Sequence, residues 1–73
     1  MPRFALRVDS TRTWILADQA SGEDIGGIHY GHAQDGNHYQ PWLMCDDTRV
    51  DVGAPVPQLR MAVLILEEAA QKP

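Results

Sequence analysis

The chain has 73 residues, of which 44% are hydrophobic and 22% charged, and this balance is typical of one small folded domain rather than a disordered segment. Ten acidic side chains against six Lys and Arg give a formal net charge of −4, which argues against nonspecific nucleic-acid binding because such binding needs many cationic contacts with phosphates. No apolar run approaches the ~20 residues of a membrane-spanning helix, and the single cysteine excludes both an internal disulfide and a multi-cysteine zinc site.

The first two predicted strands form a hairpin. Residues 3–8 alternate in polarity, with Phe4, Leu6 and Val8 on one face, as expected of a half-buried strand. Residues 13–18 are apolar and partly β-branched, and polar turn residues separate them from the first strand. This pattern predicts that the two segments pair with each other.

A third strand is predicted at residues 24–30, where Gly26 and Gly27 are adjacent. Neighbouring glycines inside a strand indicate either a bulge or a bulky side chain that lies across the backbone. Trp14 and Trp42 are the two side chains large enough to fill that space.

The fourth predicted strand, residues 38–45, follows a strong turn signal at 35–37. Because Pro41 cannot donate a ladder hydrogen bond, we expect this strand at an edge of the sheet or at a bulge. Residues 46–55 are predicted to be a loop with a short extended piece at 49–52. Strand alternation places His38, Gln40, Trp42 and Met44 on one face, and Tyr39, Pro41, Leu43 and Cys45 on the other.

A helix is predicted at residues 57–71, with Pro57 in its first turn. Met61, Leu64 and Ile65 make the apolar stripe of this helix too broad for one buried face. Either a curled sheet covers the whole helix, or these three residues contact a second copy or a partner protein; we favour the contact, since short domains often gain core by oligomerising. The stripe expected to face the core consists of Leu59, Ala62, Val63, Leu66 and Ala70.

Together these elements predict a single α+β domain over residues 1–73: a small curled antiparallel sheet of three to four strands, with one C-terminal helix packed on it. The opening residues contain no long apolar segment, so we do not expect a secretory signal. With only Cys45 as a thiol, the composition favours the cytoplasm.

Three histidines, His29, His32 and His38, surround the predicted turn between the third and fourth strands. Imidazoles placed in this way could converge on a metal such as Zn²⁺, with Asp35 or Cys45 completing the set. Their spacing matches no recognised zinc motif. We therefore predict no metal and keep the histidine site as an alternative.

The sequence offers no good candidate for catalysis. Cys45 is followed by Asp46 and Asp47, and neighbouring carboxylates disfavour the thiolate that a nucleophilic cysteine requires. No glycine-rich segment has the spacing of a phosphate-binding loop. We predict that the protein is not an enzyme and has no cofactor.

The sequence does contain candidate residues for binding a protein partner or DNA. An edge strand with large aromatic side chains is a common place for a protein partner to bind, and acidic residues follow directly. The predicted partner-binding residues are Tyr39, Trp42, Asp46 and Asp47. The cations that would serve the alternative, DNA binding by the sheet, are Arg3, Arg7, Arg12 and Arg49.

A tryptophan-containing strand, a turn with Asp and Gly-Glu, a glycine-containing strand and a terminal helix follow one another here. The sequence resembles in this respect a loose class of small orphan proteins encoded by actinobacterial phages and prophages. The resemblance covers about residues 4–71 and implies an accessory protein that acts on a host protein or complex. The residues that carry it are Trp14, Asp18, Gly22, Glu23, Ile25 and Gly26.

The function predicted from sequence is therefore noncatalytic protein–protein interaction in the cytoplasm of a host cell. The expected partners are a second copy of the chain, through Met61, Leu64 and Ile65, and an unidentified host protein that the module modulates. Sheet-mediated DNA binding and a histidine metal site are the two alternatives.

Overall fold

The computed structural model describes residues 2–71, and these form five β-strands followed by one α-helix. The predicted domain limits, 1–73, include Met1, Lys72 and Pro73, which lie outside the described residues. The strands are β1 (Phe4–Ser10), β2 (Thr13–Asp18), β3 (Asp24–Ala33), β4 (Gly36–Cys45) and β5 (Thr48–Asp51), and the helix is α1 (Leu59–Gln71).

The five strands form one antiparallel sheet in the order β1-β2-β3-β4-β5, so each strand pairs with its neighbours in sequence. Helix α1 packs on one side of this sheet, over β3 and β4. We call that side the inner face and the opposite side the open face. The predicted α+β class, an antiparallel sheet with one C-terminal helix, is confirmed.

The predicted number of strands was wrong: the sheet has five strands rather than three to four. The additional strand is β5, which had been interpreted as loop with a short extended piece. Asp46 and Asp47 both adopt positive φ angles, 51° and 64°, between the paired residues Cys45 and Thr48. That is the pattern of a tight two-residue hairpin turn, which Asn-Gly or Asp-Gly usually signals. With no glycine at either position, the turn was not recognised.

The core lies between the inner face and α1. Its fully or nearly fully buried side chains are Phe4, Leu16, Ile28, Ala62 and Leu66. The predicted core-facing stripe of the helix is confirmed, because each of its five members packs in or against this cluster. The alternation predicted for β4 also holds, since Tyr39 and Leu43 pack against the core from the inner face.

The helix begins two residues later than predicted, at Leu59 rather than Pro57. Val56 and Tyr39 exchange backbone hydrogen bonds of 3.1 and 2.8 Å in an isolated bridge beside β4. This bridge keeps the chain extended immediately before the helix, so the first turn cannot form at Pro57.

Pro41 was expected to place its strand at an edge or a bulge, and the edge expectation was wrong because β5 covers β4. The β4–β5 ladder, however, pairs only residues 42–45 of β4, so it stops at Trp42, the residue next to Pro41. Val52 N–H still donates to the carbonyl of Pro41 at 2.9 Å. The side-chain amide of Gln40 bridges this end of the ladder: its Nε2 donates to the Pro41 carbonyl at 2.8 Å and to the Gly53 carbonyl at 3.2 Å, and it lies 3.5 Å from the Val52 carbonyl.

Candidate interaction surfaces

The open face of the sheet is centred on Trp42. Its indole lies across Gly27, its cross-strand partner, which agrees with one of the two explanations predicted for the paired glycines. The other explanation, a bulge, also applies, because the β2–β3 register shifts beside Gly26. The guanidinium of Arg49 lies 5.1 Å from the centre of the indole ring, within the range of a cation–π contact. Among the described residues, the buried Nε1 of Trp42 has no hydrogen-bond partner. The ring is therefore held by packing rather than by its polar atom.

A two-bond ion pair lies beside this aromatic centre. Arg7 on β1 donates to both carboxylate oxygens of Asp24 on β3, at 2.7 and 2.8 Å. These hydrogen bonds lower the pKa of Asp24 below its ordinary value and raise that of Arg7. Asp24 pairs in the ladder with Ala17, directly after the point where the β2–β3 register shifts.

Tyr39 and Trp42, nominated together as partner-binding residues, lie on opposite faces of the sheet. Tyr39 is on the inner face, with its ring 5.9 Å from that of Trp14 and 5.2 Å from that of Tyr30. It also packs against the core. The structure therefore gives Tyr39 a packing environment and leaves Trp42 on the open face.

The other two nominated residues, Asp46 and Asp47, form the β4–β5 turn. They line a shallow depression of about 460 Å³ together with Met44. Glu23, Asp24 and Ile25, at the start of β3, line its other side. The depression is acidic, as the sequence suggested for this part of the chain, and it adjoins the open face through Met44.

The outer face of α1, formed by Met61, Leu64 and Ile65, is the most apolar exposed part of the helix. Leu64 is 63% exposed and Met61 40% exposed, whereas Ile65 is half-buried. The three residues lie at i, i+3 and i+4, so they are neighbours on the helix surface. The sheet therefore does not curl far enough to cover them.

The three histidines do not converge. His32 and Asn37 are within 3.2 Å of each other on the inner face, whereas His38 contacts Asp35 at 2.9 Å. Strand alternation places His29 on the open face, opposite to His32. Within residues 2–71, no group of three potential ligands is arranged to hold a metal ion.

The four arginines of the DNA-binding alternative do not form a free cationic stripe. Arg3 lies 3.8 Å from Asp18, and Arg7 is bound to Asp24. Arg49 lies 3.5 Å from Asp51 and stacks on Trp42. Arg12 is in the β1–β2 turn. Three of these four cations therefore lie close to carboxylates, which reduces the positive charge that the sheet offers for contacts with phosphates.

Sequence reasoning missed Val50 on β5, which is 46% exposed on the inner face beside Leu43. The sequence did contain a hint that residues 49–51 form a strand, because the tripeptide Arg-Val-Asp occurs both there and at 7–9, at the end of the first predicted strand. The two segments lie in the two edge strands of the sheet. The repetition was not recognised because β5 was not predicted as a strand.

No protein-family model, curated protein or solved structure was found to match this chain. The resemblance to phage-encoded orphan proteins therefore stays a hypothesis. Across the described residues, no helix is long and apolar enough to cross a membrane.

Proposed function

We propose that this chain is a noncatalytic protein–protein interaction module that acts as a homodimer. The observation that supports the proposal is the outer face of α1, where Leu64 and Met61 are 63% and 40% exposed beside the half-buried Ile65. Exposed apolar side chains that adjoin one another on a helix are typical of interaction sites, whereas scattered ones are ordinary.

A second copy is the partner that fits this face most simply. A twofold contact brings the same apolar residues of both copies together, and twofold dimers are the commonest closed assemblies. Burial of one Leu or Ile side chain contributes about 1.5–3 kcal/mol. That gain matters here because the core cluster among the described residues is small: it has five buried hydrophobic residues, two of them on the helix, and the buried Pro41 is the one large side chain buried outside that cluster.

The resemblance to phage proteins extends the proposal to a host protein that the dimer binds and modulates. The open face around Trp42, with the acidic depression at Asp46 and Asp47, is the surface we assign to that partner. An aromatic centre with charged residues at its rim is a common arrangement at protein interfaces. This part of the proposal is supported by the resemblance and the surface composition together.

Light scattering on the wild type and on Leu64→Glu tests the helix contact. We expect a wild-type mass twice the chain mass of 8.1 kDa and a single-chain mass for the variant. Gln71→Glu, which adds the same charge at an exposed polar position of α1, serves as the control and should remain dimeric. A wild type that stays monomeric, or a Leu64→Glu variant that stays dimeric, would contradict the helix contact.

A further inference from the structure

The edge strand β5 presents the backbone groups of Arg49 and Asp51 to the outside of the sheet. Val52 N–H donates to the Pro41 carbonyl, so the backbone of Val52 faces β4. Hydrogen-bonded and non-hydrogen-bonded positions alternate along an antiparallel strand. Val50 therefore also faces β4, whereas the N–H and C=O groups of Arg49 and Asp51 face away from it.

The side chains of β5 are ordered in a way that matches this backbone pattern. Arg49 and Asp51 lie on the open face, 3.5 Å apart at Nε and Oδ1, with Arg49 stacked on Trp42. Val50 lies between them in sequence, on the inner face opposite Leu43, and is 46% exposed. The edge therefore carries a cation, an apolar residue and an anion at successive positions.

We propose that β5 pairs antiparallel with β5 of a second copy about a twofold axis through Val50. This register sets Arg49 of each copy directly opposite Asp51 of the other. The outward backbone groups of these two residues then form the hydrogen-bonded pairs of the new ladder, and Val50 meets its counterpart in the closer, non-hydrogen-bonded pair. Opposite charges at directly opposed positions stabilise such a ladder.

The inner side of the same edge offers apolar surface to the junction between the two copies. A groove of about 210 Å³ lies beside the end of β5; its walls are the apolar Val52, Ile65 and Ala69 together with the carboxylate-bearing Glu68. Val50 alternates onto the same face as Val52. When β5 pairs with a second copy, the partner strand therefore covers Val50 and lies next to this groove. The two sheets then form one continuous sheet.

The other edge strand, β1, contains the same tripeptide but is less suited to self-pairing. Arg7 already donates two hydrogen bonds to Asp24 within its own chain. The register of β1 also shifts between Val8 and Ser10, so Asp9 lies in an irregular segment. Bulges of this kind protect edge strands against pairing with another chain. The geometry therefore favours β5.

This contact rests on the proposed homodimer and is an alternative to the contact through the outer face of α1, because a dimer of twice the chain mass uses only one twofold contact. Ile65 borders both surfaces, since it also lines the groove beside β5. Leu64 does not line that groove and projects away from the sheet, half a helical turn from the buried Ala62 and Leu66. A substitution at Leu64 and a substitution in β5 consequently test different surfaces.

Charge reversal at the β5 edge gives the first test. Arg49→Asp and Asp51→Arg, each alone, place like charges opposite one another across the twofold axis, and each should weaken dimerisation about tenfold or more in a light-scattering titration. The double variant restores opposite charges and should regain most of the affinity. Arg12→Asp, the same charge change in the β1–β2 turn, should leave the affinity unchanged.

Amide hydrogen exchange gives the second test and needs only the wild type. The amides of Arg49 and Asp51 should exchange at least about tenfold more slowly at concentrations where the dimer predominates than where the chain is monomeric. If the Leu64→Glu variant is still dimeric and its Arg49 and Asp51 amides remain protected, β5 pairing is supported and the helix contact is overturned. A dimer whose Arg49 and Asp51 amides exchange freely, or double reversal without rescue, overturns β5 pairing. A wild type that is monomeric throughout overturns both contacts.

Discussion

The indole of Trp42 lies so close to the backbone of Gly27 that a Cβ on the glycine would stand 2.6 Å from Cζ2 of the ring. The same Cβ would also collide with the backbone carbonyl of Trp14 on the other neighbouring strand. Gly27 is buried between these two neighbours. The open face therefore has its present shape because one residue of β3 has no side chain.

Substitution of Gly27 by Ala should lower the free energy of unfolding by about 1–3 kcal/mol, since overpacking forces side chains and backbone to move. Urea denaturation followed by tryptophan fluorescence measures the loss. Gly31→Ala in the same strand is the control, because a Cβ there meets nothing within 4 Å. Gly31→Ala should be neutral or slightly stabilising. Equal changes in the free energy of unfolding at the two positions would contradict the conclusion that Trp42 leaves no room for a side chain at Gly27.

The β4–β5 turn should become more stable when Asp47 is replaced by Gly. Asp47 has a φ of 64°, a conformation that costs L-amino acids energy and glycine little. We expect Asp47→Gly to raise the free energy of unfolding by about 0.5–1 kcal/mol and Asp47→Val to lower it by about 1–2 kcal/mol. Thermal unfolding measures both changes.

Thr11→Gly in the β1–β2 turn serves as the control for that series, because Thr11 is not among the described residues with positive φ. Glycine there only increases the freedom of the unfolded chain, so it should be destabilising by about 0.4–1 kcal/mol. If glycine stabilised both turns, the positive φ of Asp47 would not be the reason why Asp47→Gly stabilises the protein.

Two leucines of α1 should respond very differently to truncation. Leu66 is fully buried in the core, and Leu66→Ala should cost about 2–5 kcal/mol through lost burial and the cavity left behind. Leu64 is 63% exposed, and Leu64→Ala should cost less than about 1 kcal/mol in the folded monomer. Chemical denaturation at concentrations that give the monomer measures the difference. Similar losses would mean that Leu64 is buried in solution.

Stability should decrease in acid partly through the Arg7–Asp24 pair. The hydrogen bonds from Arg7 lower the pKa of Asp24 in the folded state. A carboxyl with a depressed folded pKa stabilises fully above its unfolded pKa, and this contribution is lost as the pH falls through the folded pKa. The difference in unfolding free energy between wild type and Asp24→Asn should therefore shrink between about pH 5 and pH 2. NMR titration of Asp24 at or above an ordinary aspartate value would contradict this.

Much of this fold can be predicted from the local pattern of residues in the sequence. Alternation in β4 correctly separated its two faces, and one of the two explanations predicted for the paired glycines of β3, a bulky side chain across the backbone, holds at Gly27. The helical stripe was predictable because 3.6-residue periodicity needs no knowledge of the neighbours. These features depend on residues close together in sequence or on steric volume.

The features that sequence did not reveal depend on conformations that their residues seldom adopt or on pairing across the sheet. Asp46 and Asp47 adopt left-handed φ values without a glycine, which concealed the fifth strand. The role of Gln40, whose side-chain amide links Pro41 to the carbonyl of Gly53, requires knowledge of where the segment after β5 lies.

The neighbour-to-neighbour order of the sheet also governs how the chain folds. Each strand pairs with the one before it, so each hairpin closes only a short loop and the entropic cost of forming the sheet is incurred in small steps. Topologies with local contacts fold faster than those with distant pairings. Because α1 packs over β3 and β4, the core is completed only when the helix docks on these two strands. A chain whose sheet has formed but whose helix has not yet docked therefore exposes Leu16 and Ile28 on the inner face.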